Sequence, residues 1–158
     1  MRREEKIELI LKILWKNGWK LNQEDKDKLY NRKGKINSHL NGTYIIGIKV
    51  ILKDKDYIYI DCDDSIDYDG TYWTANITLY ANGSGNLVIP ILYHTITEKK
   101  KNKINFGCTD YYVDLSCIST EEDIADVIAQ CEEKINQVKL KVKEYEAKIR
   151  EQKIQKDF

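Results

Sequence analysis

Two histidines, one proline and one methionine are all that 158 residues provide of those types. Chemistry built on paired imidazoles therefore lacks its raw material. Neither His39 nor His94 lies at ligand spacing from the four cysteines at 62, 108, 117 and 131, and no C-x-x-C pair occurs. A zinc site is not expected, and the cysteines read as small apolar residues of a reduced cytosolic protein. No serine or cysteine sits in a nucleophile elbow, and no glycine-rich loop could cradle a phosphate. YHTIT at 93–97 departs from a histidine–x–threonine phosphoesterase motif, because Ile96 stands where the threonine belongs and no second copy follows. No apolar run reaches the length of a membrane span. The start, MRREEKIELILKILW, is not a signal peptide, since Glu8 and Lys12 interrupt it and no small-residue cleavage site follows. Net charge is also missing: 26 basic side chains balance 26 acidic ones, which removes any bulk attraction to nucleic acid or anionic lipid.

What is present is ordinary for a soluble globular chain, with 42% apolar and 33% charged residues. The length suits one domain over 1–158 that buries a core without staples. Charge is uneven along it. Residues 1–39 hold 11 basic and 6 acidic side chains, residues 40–118 hold 7 and 10, and the remainder 8 and 10. Lysine outnumbers arginine 22 to 4, and isoleucine and asparagine are plentiful. Those residues have A/T-rich codons, which points to the cytoplasm of an AT-rich bacterium, with a phage gene as one origin.

Three zones follow one another. Residues 1–39 are helical: Ile7, Ile10, Leu11 and Leu14 form a 3.6-period stripe widened by Leu9 and Ile13, and Asn17-Gly18 supplies a stop. Asn22 caps a second, polar helix that Gly34 should end. Residues 43–118 switch to period two. Tyr44, Ile46, Ile48, Val50 and Leu52 alternate onto one face, as do Trp73, Ala75, Ile77 and Leu79, and Pro90 marks an edge position or a bulge. Residues 119–156 form one long helix, opened by a capping box of Ser119 with Glu122 or Thr120 with Asp123. Its seam includes Ile124, Ile128, Cys131, Ile135, Val138, Val142, Tyr145 and Ile149 at heptad spacing. The expected fold is α+β: two N-terminal helices, a five- to six-stranded antiparallel meander, and the long helix packed across one face and overhanging it. Lysines at 134, 141 and 148 disfavour self-pairing of that seam, so it should pack on the chain's own sheet and first helix, or on a foreign helix.

DCDDSIDYDG, residues 61–70, concentrates five aspartates. Ser65, Asp67, Asp69 and Gly70 echo half of a calcium loop, but Asn76 stands where the closing glutamate belongs. The stretch reads first as a hairpin turn, next as an acidic contact surface of Asp61, Asp63, Asp64, Asp67 and Asp69, and last as a metal loop. Tyr57, Tyr59, Tyr72 and Tyr80 alternate onto the side away from the aliphatic residues, as tyrosines of a protein interface or of a second, partly buried face. NRKGK at 31–35 and EKKKNK at 98–103, with Trp19 or Tyr30 to stack on bases, make nucleic acid a lesser candidate partner.

The features unite best as a non-enzymatic protein, monomer or dimer, that needs no cofactor or metal and no membrane. It would bind and occlude a bacterial protein, one that itself binds nucleic acid being the favoured kind. Its most concrete form is a phage or mobile-element anti-defence protein of the anti-CRISPR kind, whose aspartates stand in for phosphates. The alternative is a small-ligand binder with a cavity between sheet and long helix, an element order resembling helix-grip proteins without their first strand. Third stands a metal-dependent phosphodiester enzyme using Asp61, Asp63 and His94.

Overall fold

The stripe of Ile7, Ile10, Leu11 and Leu14 folds into helix α1, Arg3–Lys16, with all four side chains and Ile13 buried. Gly18 ends it in a left-handed turn (φ +85°), which lets the Trp19 amide reach back to the Leu14 carbonyl at 3.0 Å. The computed structural model describes residues 1–56, 58–62, 66–96 and 103–156. Helix α2, Gln23–Leu29, starts where the Asn22 side chain accepts the Glu24 amide hydrogen. It stops at Leu29, five residues before Gly34, because the Asn31 side chain accepts the amide hydrogens of Lys33 and Lys35 and turns the chain first.

Six strands follow: β1 Thr43–Lys53, β2 Tyr59–Cys62, β3 Ile66–Tyr68, β4 Tyr72–Tyr80, β5 Asn86–Ile96 and β6 Lys103–Asp114. After a single 3-10 turn, Leu115–Cys117, comes helix α3, Glu121–Lys156. The class is α+β, with an open, mostly antiparallel sheet in the order β1-β4-β5-β6-β2, and β3 paired with β4. It is not a pure meander. β2 crosses to the far side of the sheet and runs parallel to β6. The reason lies at β1, which has no edge to spare: β4 takes one side, while Lys20 pairs with Ile48 and the Asp25 carboxylate accepts the Ile45 amide hydrogen on the other.

Two irregularities displace side chains from the simple alternation. β1 slips register between Ile45 and Gly47 and again between Val50 and Leu52, so Ile46 and Ile51 are buried while Val50 is 43% exposed. Gly47 lies where Leu14, Trp19 and Ile77 close in on the strand, and an added Cβ would stand 3.3 Å from two of them. β4 keeps its alternation, with Trp73, Ala75, Ile77 and Leu79 all buried. β5 pairs with β4 only over Asn86–Val88 and then departs, just before Pro90, whose missing N–H cannot serve a ladder. β3 occupies the stretch of β4 edge that β5 leaves. The Cys131 thiol of α3 contacts the Pro90 carbonyl at 3.5 Å.

Helix α3 opens on a reciprocal cap. The Thr120 hydroxyl accepts the Asp123 amide hydrogen, and the Asp123 carboxylate accepts those of Ser119 and Thr120. All eight seam residues from Ile124 to Ile149 are buried in the same core as α1 and the sheet. At about 1.5 Å per residue the 36-residue helix is roughly 54 Å long. Its last turns, from Arg150 to Lys156, are exposed and include Ile154, so the helix does overhang. Among the described residues, no helix is long and apolar enough to cross a membrane.

Candidate functional site

The register of the β5, β6 and β2 ribbon sorts its side chains onto two faces. Ile58, Ile60, Leu92, Ile104 and Phe106 are buried. On the outer face Tyr59 lies beside Lys103, Asp61 beside Asn105 and Thr95, and Tyr93 beside Gly107. Tyr111 follows on β6 beyond the end of β2, exposed although its register partner Ile89 is buried. Tyr59, Tyr93 and Tyr111 are 64%, 48% and 49% exposed, large fractions for aromatic rings on regular strands. The eight residue steps from Lys103 to Tyr111 span roughly 26 Å at about 3.3 Å each.

Local contacts hold this surface in shape. The Lys103 ammonium pairs with the Asp61 carboxylate at 3.2 Å and stands 5.5 Å from the Tyr59 ring centroid. The Tyr93 ring lies over Gly107, where any Cβ would collide with it, so glycine is what gives the ring its seat. Beside it is a shallow hollow of about 310 Å³ lined by Asp61, Tyr93, Thr95 and Asn105. The Asn105 Oδ1 atom is buried without a hydrogen-bond partner among the described residues.

The described aspartates of 61–70, namely Asp61, Asp67 and Asp69, lie on separate elements. Asp61 keeps an outward carboxylate, its side chain 55% exposed, on β2. Asp67 lies on β3 and accepts a 2.8 Å bond from the Asn76 amide. Asp69 closes the β3–β4 hairpin, accepting the Tyr72 and Thr71 amide hydrogens at 2.7 and 2.8 Å, and those bonds hold its carboxyl below the usual range. Gly70, at φ +95°, completes that turn. Asp63 and Asp64 lie outside the described residues. Among the described residues, no group of three or more His, Cys, Asp or Glu could hold a metal ion.

The expected tyrosine face is also divided. Tyr72 and Tyr80 are exposed on β4, on the side away from Trp73, Ile77 and Leu79, but eight residues apart, or roughly 26 Å. Tyr59 belongs to β2 at the other side of the sheet, and Tyr57 lies outside the described residues. The seam residues Ile128, Ile135, Val138, Val142, Tyr145 and Ile149 are buried in the chain's own core, which leaves a foreign helix no seam to grip.

Asp61 and His94 do not converge. The register puts Asp61 with Asn105 and Thr95 on one face, and His94 with Phe106 on the other. Burial, and next the Lys141 ammonium, hold the His94 imidazole below its ordinary pKa. Trp19 is not available for base stacking: it is 2% exposed and donates to Glu132 at 2.7 Å. Tyr30 lines an open groove of about 630 Å³ between α1 and α2 with Trp15, Glu8, Lys26, Asp27 and Arg32, where two acidic and two basic groups balance. Of EKKKNK, only Lys103 lies among the described residues. Burial pushes the Cys131 thiol up to about 12, so it stays protonated and unreactive at neutral pH.

No family model, curated protein or solved structure matches this chain. The site therefore rests on its own geometry.

Tyr93, Thr95, Asn105 and Tyr111 were not singled out by the sequence pattern. The usable signal was Gly107 within a strand pattern, since a strand glycine often marks the close approach of another group. Naming Tyr93 as that group requires the strand register.

Proposed function

We propose that this chain works without catalysis, by binding and covering a surface of another protein with the outer face of β5, β6 and β2. The observation that carries this reading is the exposed pair Tyr59 and Tyr93 with Asp61 on the outer face of the ribbon, continued along β6 by the exposed Tyr111. Tyrosine offers large, rigid, amphipathic contact area, and aromatic residues are enriched where proteins meet. β2 flanks only Lys103–Phe106 of β6, so at about 4.8 Å between strands and about 3.3 Å per residue the patch covers well under half of the ~800 Å² each partner buries in a standard interface. The contact must therefore extend past the tyrosines onto the flanking loops. Asp61 and Lys103 give the face a paired carboxylate and ammonium among its tyrosines, charged groups that a polar partner surface can engage. Among the described aspartates of 61–70 the phosphate-mimicking form of the idea keeps only Asp61, which also pairs with Lys103, since Asp67 and Asp69 serve the fold. Codon-driven lysine and isoleucine bias favours a bacterial or phage setting, in which an inhibitor of a defence protein is the most concrete version.

Photo-crosslinking tests the reading. A benzophenone side chain at Tyr59 or Tyr111 should capture a specific protein from bacterial lysate, whereas the same probe at Tyr80 should not. Y59A and Y111A should abolish co-purification of that protein, and D61S should weaken it and flatten its salt dependence. Equal capture from Tyr59 and Tyr80, or co-purification unaffected by Y59A and Y111A, would overturn the assignment of the face.

A further inference from the structure

Between β5 and the middle of α3 lies a cleft of about 280 Å³, more enclosed than the grooves beside α1. His94 and Tyr93 enter it from the strand, and Lys134, Gln137 and Lys141 from the helix, over an apolar floor of Leu92 and Val138. The helix residues recur at i, i+3, i+4 and i+7, so they share one face. Lys134 and Lys141 stand two turns apart, roughly 10.5 Å along the axis, and flank the cleft. Among the described residues no carboxylate lines it. Lys141 meets Glu144 at 3.3 Å on the exposed side of the helix, and among the described residues Lys134 has no carboxylate within ion-pair distance. Two ammonium groups, one of them paired with Glu144, beside a partly buried imidazole give the cleft a local excess of positive charge in a chain of zero net charge. The α1–α2 groove is larger, but its balanced charges select no ligand class.

We propose that this cleft is a binding site for a small organic anion, a carboxylate or phosphate monoester carried on a short apolar stem. Lys134 and Lys141 neutralise the charge, Gln137 supplies a directional hydrogen bond, and Leu92 and Val138 receive the stem. The volume lies just under the ~300–1,000 Å³ of usual ligand sites, which restricts the occupant to a small metabolite. The site uses the opposite face of β5 from Asp61 and does not depend on the protein-binding reading.

His94 is a built-in reporter, because the chain has one other histidine, His39, which is exposed and serves as the internal control. The charged or titratable groups around His94 are Lys134, Lys141 and Glu144 on α3, Tyr93 beside it on β5, and Cys108 two residues past its partner Phe106 on β6. Imidazole resonances, assigned with H94Q, are followed by NMR during titration with phenyl phosphate, benzoate and benzyl alcohol at fixed ionic strength. A saturable shift of His94 with either anion, absent at His39 and absent with benzyl alcohol, is the expected result. Tighter binding of phenyl phosphate assigns a phosphate ligand, and tighter binding of benzoate a carboxylate. The His94 pKa should rise in the complex, because a bound anion favours the imidazolium. K134A and K141A should each weaken binding about tenfold, the loss of one charge-assisted contact, whereas K153A on the overhang should not. Unchanged His94 resonances, equal response to benzyl alcohol, or affinities indifferent to K134A and K141A in variants that keep the wild-type amide spectrum would overturn the site.

Discussion

Glu132 joins three parts of the chain through one carboxylate. It accepts from the Trp19 indole at 2.7 Å and from the Lys49 ammonium at 2.6 Å, and Lys49 also donates to the Asn17 carbonyl. Both charged side chains are only a fifth to a quarter exposed, so removing one leaves the other without compensation. Glu132→Ala should cost about 2 kcal/mol in urea unfolding, as for a lost charge-assisted contact, and Trp19→Phe less, since the packing survives. No loss on Glu132→Ala would show that the pair is already solvated. Acid sensitivity is set at the same scale. Backbone amide donors hold Asp69, Asp114 and Asp123 below the ordinary carboxylate range. Their folded pKa lies under the unfolded one, so their stabilisation is complete above about pH 4 and is lost as pH falls through the folded values. His94, also lowered, adds to this: below its ordinary pKa of about 6.5 the unfolded chain takes up a proton that the folded one refuses. Urea midpoints should thus decline gently from pH 7 to 5 and steeply below 4, and H94Q should remove the first decline alone. Contacts of this kind were illegible in the sequence. The partner of Trp19 lies 113 positions away, and nothing in the local pattern distinguishes an indole that stacks on a base from one that is buried.

At the level of elements, periodicity carried the reading wherever the backbone stayed regular. α1, β4 and α3 follow their apolar spacing, and Pro90 sits where the β4–β5 ladder stops. The failures have one physical source, the competition for strand edges. β1 bulges twice and β2 migrates to β6 because Lys20 and Asp25 occupy the edge it would have used. Such contacts are non-local and leave no trace in period-two counting. The division of α3 into packed and projecting parts gives a direct check. Deleting residues 151–156, all exposed, should change unfolding free energy by less than about 0.5 kcal/mol, as surface changes usually do. Ile135→Ala, in the fully buried stretch of the seam, should cost about 2–5 kcal/mol. Asp123→Ala should lower stability by less than Ile135→Ala, through the lost half of the cap. Thermal or urea denaturation ranks all three, and a truncation as costly as Ile135→Ala would mean that the overhang packs on something.

Across the whole molecule, the β5–β6–β2 ribbon carries a different surface on each side, and Tyr93 contributes to both. It lines the outer hollow with Asp61 and Thr95, and it borders the cleft with His94 and Lys134. What fixes the ring is the absence of a side chain at Gly107. The aspartate-rich stretch drew attention in the sequence because its residues are adjacent, yet the fold disperses them over β2, β3 and a turn, and builds its aromatic face from residues far apart in the chain. Gly107→Ala isolates the consequence. A methyl group there evicts a half-exposed ring and leaves the buried side of the ribbon, Leu92, Ile104 and Phe106, untouched. The cost in stability should therefore stay below about 1–2 kcal/mol, a ring displaced towards solvent rather than a core overpacked. Crosslinking from Tyr111 should nevertheless fall as far as it does in Tyr93→Ala. If Gly107→Ala keeps full crosslinking while Tyr93→Ala loses it, the ring binds from more than one position and its seat on Gly107 is not what prepares the surface. If both variants keep full crosslinking, Tyr93 is not part of the contact, and the face reduces to Tyr59, Asp61 and Tyr111.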